Sequence, residues 1–176
     1  LELEELSSEV VGAQLGQDAL KGSLIAGAIG LAIVCVFMCW VYLLPGLASS
    51  LALILYTELI LILLNAFDIT LTLPGIAGII LGIGMAVDAN VIIFARVKEE
   101  LTAGKSVHAS LKSGFQKAMS AIVDGNITTL IAAGVLWLRG SGTVKGFAQT
   151  LALGIVVSMF TALVITRLII FSFYGA

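Results

Sequence analysis

Gly75–Phe94 reads GIAGIILGIGMAVDANVIIF. A helix needs about 20 apolar residues to cross the hydrocarbon core of a bilayer, and this stretch has that length and character. It carries a single ionisable group, Asp88. A charge near the middle of a membrane helix costs on the order of 3 kcal/mol by insertion scales and more in simulation. The stretch therefore sets the fold class, an all-α polytopic membrane protein, and marks Asp88 as its first functional candidate.

Composition agrees along the whole chain. Hydrophobic residues make up 60% and charged residues 11%, against the roughly 25% charged expected of a soluble domain, and the mean hydropathy is +1.15. The net charge of -2 carries little weight, because in a membrane protein the distribution of charge across the bilayer is what matters. A nucleic-acid partner is unsupported; the lipid bilayer is the expected surroundings. Cys35 and Cys39, four apart in an apolar run without His or acid nearby, read as small hydrophobes on one helix face. Residues 1–21 open acidic (LELEELSSE) rather than basic. No cleavable signal peptide is expected there, and the segment reads as an extracytoplasmic tail or linker from something larger.

Working outward from Asp88, the interruptions divide the chain into five apolar spans. The first covers 22–44 and ends at Pro45-Gly46, a pair suited to a tight turn. The second covers 47–67. After the loop DITLTLP comes 75–95, then the polar stretch 96–117 (RVKEELTAGKSVHASLKSGFQK), then spans at 118–138 and 146–167 joined by RGSGTVK. Arg96, Lys98, Lys105, Lys112, Lys117 and Arg167 share one side of this arrangement, with Lys21, Arg139 and Lys145 on the other. The positive-inside rule places 96–117 in the cytoplasm and 1–21 outside. Within the polar stretch, Val97, Leu101, Val107, Leu111 and Phe115 partly follow helical spacing around Gly104. That spacing is compatible with two short amphipathic helices on the membrane surface, and a packed cytoplasmic elbow is the preferred reading.

Three carboxylates fall at similar depth. At about 1.5 Å per residue, Asp88 lies about 20 Å from Pro74 and about 12 Å from Arg96, Asp124 about 10 Å from Lys117, and Glu58 about 16 Å from Leu47. Each must be protonated, paired or hydrated. A carboxyl whose charge depends on conformation and water access is what proton-coupled transport requires. Val87-Asp88-Ala89-Asn90 and Val123-Asp124-Gly125-Asn126 repeat one pattern. Residues two apart on a helix point about 200° from each other, so each Asp and its Asn address opposite sides. Thr128, one turn beyond Asp124, is either a relay or bonded to its own backbone. Asp124 and Asn126 have a second reading, in which they fasten the elbow. Glu58 has three: joining Asp88, facing another subunit, or staying protonated against a neighbouring helix.

Gly75, Gly78 and Gly82 recur at three- and four-residue spacing, which lets another helix approach closely, and Gly84 leaves room one turn before Asp88. Gly82-Ile83-Gly84 is no nucleotide loop, since no strand precedes it. Gly104-Lys105-Ser106 resembles the end of a phosphate-binding loop, but the motif needs glycine where the chain has Glu99. His108 reads as a solvated surface residue. No nucleophile with its base, metal cluster or phosphate cradle is legible, so no enzyme activity, cofactor or metal is expected.

Several segments carry a family resemblance. Leu73–Gly78 (LPGIAG), Gly82–Val91 (GIGMAVDANV), Ile127–Ala133 (ITTLIAA) and Lys145–Ala148 (KGFA), with the TLALG run that follows, closely resemble the membrane segments of SecD. That protein and its partner SecF form an accessory complex of the bacterial Sec export machinery, within the RND transporter superfamily. The resemblance covers nearly the whole chain from about Gly12, and it implies a proton-driven step in protein secretion. SecD-like proteins have six membrane helices and a large extracytoplasmic domain between the first two, so the five spans correspond to the second to sixth. The chain then resembles an RND-like half bundle without its first helix and that domain, either truncated or a fragment, with Leu15-Gly16-Gln17-Asp18 resembling the approach to the second helix.

By the same resemblance, Asp88 matches the family's membrane aspartate implicated in proton passage, with Asn90 in its motif. The remaining members of that proton site come from SecF, as a separate subunit or a fused half. The implied partners are SecF, the Sec translocon channel and the exported polypeptide, and the implied location is the bacterial inner membrane. Gly125 stands where Ala is expected, and Glu58 matches no recognised family residue. Two other functions fit the residues: an RND-type exporter of lipids or small molecules, and a non-transporting scaffold in which Asp88 pairs with a neighbouring subunit.

Overall fold

The computed structural model describes residues 13–174. Residues 1–12 of the expected linker lie outside them, and residues 13–21 belong to the first helix. That helix, α1, spans Ala13–Tyr42; α2 spans Leu44–Ala66, α3 Leu73–Thr102, α4 Val107–Arg139 and α5 Thr143–Phe160. A π-helical segment, Thr161–Thr166, joins α5 without a break to α6, Arg167–Tyr174. Five helical spans among the described residues are long and apolar enough to cross a membrane, the last running from Thr143 to Tyr174.

Local chemistry explains the joints. Leu43, with φ 51°, is the only residue between α1 and α2, and Pro45 sits inside the first turn of α2 rather than in the turn itself. Proline is tolerated there because its missing N–H would have had no intrahelical acceptor. Gly46 then admits α1: a Cβ on it would lie 2.1 Å from the Met38 carbonyl oxygen. Ser50 strengthens this hairpin, its hydroxyl lying 2.9 Å from the Gly46 carbonyl and 3.5 Å from Cys39 Sγ. At the other end of α2, Thr72 caps α3 by accepting the Gly75 N–H at 3.1 Å.

The polar stretch does not form separate surface helices. Its first part extends α3 and its second begins α4, joined through Gly104 at φ 85° and capped by Ser106. Val97, Leu111 and Phe115 are buried against one another's helices, and Gly114 allows the contact, since a Cβ there would meet the Val97 backbone at 2.8 Å. These three apolar groups pack across the helical hairpin, while Leu101 and Val107 at its tip stay exposed. Glu100, 4% exposed, fastens the elbow by pairing with both Lys105 and Lys117.

Helix α3 occupies the centre, packing on α5, α4, α2 and α1. Gly78 faces Thr150 and Phe147, and Gly82 faces Gly154 and Tyr56, so α3 and α5 run parallel with a constant offset. By contrast, α1 exposes Leu24, Ile25, Ile29, Ile33 and Trp40, an outer face suited to lipid.

Candidate functional site

Asp88 lies at the middle of the 30-residue α3 and is exposed. Its side chain borders a cavity of about 190 Å³ between α3 and α4, with Met85, Ala89 and Ile92 on one wall and Gly125, Asn126 and Thr129 on the other. The polar members of the α4 wall each donate one bond locally. Asn126 Nδ2 donates to the Ile122 carbonyl at 2.7 Å, and Thr129 Oγ1 to the Gly125 carbonyl at 3.2 Å. Both retain an oxygen with lone pairs, so the cavity offers acceptors to a protonated carboxyl or to water. Among the described residues no cation pairs with Asp88; the ion pairs there are Arg96–Glu99, Lys105–Glu100 and Lys117–Glu100, all beyond the apolar part of α3.

The other selected residues separate. Asn90 projects to the opposite side of α3, is 2% exposed, and its Oδ1 has no hydrogen-bond donor among the described residues. The hydroxyls of Tyr56, Thr161 and Thr166 share that condition. The offset that sets Gly82 beside Gly154, carried two turns on, brings Asn90 level with Ala162, next to Thr161 in the π segment. Each unpaired buried polar group costs about 1–3 kcal/mol, and π turns concentrate where helices serve function.

Asp124 is exposed outside the cavity and accepts from Ser120 at 3.3 Å. Among the described residues it forms no ion pair, and Lys105 and Lys117 of the elbow pair with Glu100 instead. Thr128 bonds back to the Asp124 carbonyl at 3.0 Å, which is the backbone alternative rather than a relay to Asp88. Glu58 is exposed on α2 and does not border the cavity. Gly75, Gly78 and Gly82 lie at close helix contacts, whereas a Cβ on Gly84 would meet nothing within 4 Å. Sequence reasoning did not single out Thr129, whose signal is its one-turn spacing from Asn126, nor Glu100, whose partner Lys117 is joined to it only by the folded elbow.

Comparisons with known proteins add a second line. Residues 2–175 match the family described as protein export membrane protein SecD/SecF, C-terminal. The protein translocase subunit SecD of Acidaminococcus fermentans is 52% identical over 176 residues, taking in 100% of this chain and 42% of that protein. Its counterpart in Synechocystis is 52% identical over 165 residues, 94% of this chain and 35% of that protein. The crystal structure of SecDF, a translocon-associated membrane protein from Thermus thermophilus, superposes with a TM-score of 0.91 at 41% identity, covering 94% of this chain and 23% of that one. The chain thus spans well under half the length of these relatives.

Proposed function

The chain belongs to the SecD/SecF family of protein-export membrane proteins, and from that premise we propose that it forms the membrane part of an accessory complex that uses the proton-motive force to assist Sec-dependent translocation. Asp88 is the proton carrier. The observation that carries this reading is an exposed carboxyl at mid-span, bordered by acceptors from Asn126 and Thr129 and unpaired with any cation among the described residues.

In this mechanism Asp88 takes up a proton in one arrangement of the two halves and gives it up in the other. The cation comes from a SecF-like subunit or fused half seated on the open side of α3, where Gly84 and Gly125 leave room for a close helix. Protonation removes the attraction between the halves and ionisation restores it. Where α3 meets α5, Gly75, Gly78 and Gly82 face Thr150, Phe147 and Gly154, and in this mechanism the small residues of that contact let the helices shift. That motion is passed to an extracytoplasmic domain that holds the exported polypeptide. The complex lies in the bacterial inner membrane with the 96–117 elbow in the cytoplasm.

The test is proton uptake into proteoliposomes holding the chain with its SecF-like partner under an imposed pH gradient, comparing the native protein with Asp88→Asn. Loss of flux in a variant that still assembles supports the carrier role. Unchanged flux returns Asp88 to a structural contact between subunits.

A further inference from the structure

We infer that the groove between α4 and α5, independent of Asp88, is a binding site for an anionic glycerophospholipid. The groove has a volume of about 430 Å³, and its depth is apolar, formed by Leu130 and Gly134 of α4 with Ala152 and Val156 of α5. One end is different. Trp137 lines the groove there, the Lys145 ammonium sits 5.3 Å from the centre of its ring, and Arg139 occupies the last turn of α4. Gln149, one turn into α5 from Lys145, also lines the wall.

Read along α5, Lys145, held beside the lining Trp137, precedes an amide about 6 Å on at Gln149 and hydrocarbon at Ala152 and Val156, about 10 and 16 Å on, these last three lining the groove. Phosphate, glycerol ester and acyl chain follow one another in the same order in a phospholipid. An ammonium suits the phosphate, an amide N–H suits an ester carbonyl, and the apolar depth suits the chain. The cation–π contact holds Lys145 at the mouth instead of leaving it to range over the surface. Asp68, in the loop whose Ile69 also borders the groove, forms no ion pair with Lys145 or Arg139 among the described residues. A basic mouth above an apolar cleft between membrane helices favours an anionic headgroup over a zwitterionic one.

Trp40→Phe leaves Trp137 as the sole tryptophan, and Trp40 is 83% exposed, so the change disturbs little. The experiment reconstitutes this chain in phosphatidylcholine vesicles and compares quenching of Trp137 by brominated phosphatidylglycerol with quenching by brominated phosphatidylcholine at equal mole fractions. The relative affinity for phosphatidylglycerol is expected to be about five-fold higher, the effect of one basic residue on an anionic headgroup. Lys145→Gln should bring the two lipids together. Gly134→Leu, which fills the groove from a position with open space beside it, should abolish the preference as well, with Ala152→Leu serving from the other wall if that variant fails to fold. Equal quenching in the parent protein overturns the site. So does a preference that survives filling of the groove but not loss of Lys145, which would mean diffuse attraction to a basic surface.

Discussion

Helix α3 presents two faces of opposite construction. Along one, Gly75, Gly78 and Gly82 meet Thr150, Phe147, Gly154 and the Tyr56 hydroxyl so closely that a Cβ on Gly78 or Gly82 would fall within 2.6 Å of a neighbour. Along the other, Gly84 has nothing within 4 Å and Asp88 opens on a cavity. The same residue type thus serves closure on one side and access on the other. In the proposed mechanism the open face carries the carboxyl and the closed face is the contact along which α3 shifts.

The largest expected effect falls on the open face. Asp88→Asn keeps the volume and removes the ionisable group, so proton flux should drop on the order of 100-fold, the scale of losing a positioned acid–base group, while assembly with the partner persists. If assembly fails instead, the open face is a structural contact and the contrast between the two faces collapses.

On the closed face Gly82→Ala places a methyl 2.3 Å from the Tyr56 hydroxyl, and overpacking of this kind costs about 1–3 kcal/mol. Tyr56→Phe in the same chain should recover much of that loss, because it removes the clashing oxygen together with a buried hydroxyl that has no partner among the described residues. Thermal unfolding of the single and double variants in detergent measures this coupling. Additive losses would mean that the glycine and the tyrosine act separately.

A smaller effect is expected at the cavity wall. Thr129→Val preserves shape and removes one acceptor beside Asp88, so flux should fall by less than about ten-fold, roughly one hydrogen bond, with the unfolding midpoint unchanged. The smallest belongs to Gly84→Ala: with open space beside it, stability should rise by up to about 1 kcal/mol, the gain of alanine over glycine inside a helix. A large stability loss there in the isolated chain would show that the face is closed after all.

Much of this molecule is legible from local pattern. The five spans follow from the length of apolar runs, and Asp88 stands out because ionisable groups are costly at that depth. The opposed directions of Asp88 and Asn90 follow from helical geometry. Other features depend on what packs beside them. The apolar positions of 96–117 are compatible with lipid or with each other, and Val97 meeting Gly114 decides for the latter. Asp124 and Asp88 share a motif, yet Asp124 lies outside the cavity while Asn126 lines it, because α4 turns the Asn of its pair toward α3.

Periodicity and composition therefore specify the number of helices, the rare carboxyl, and the angle between any two side chains on one helix, since these arise from backbone geometry and the cost of burying charge. Which side of α3 is shut and which stays open depends on Tyr56, Thr150 and Gly154, residues remote in the chain. No window around Asp88 contains them, and steric contact between distant segments comes into being only when the helices pack.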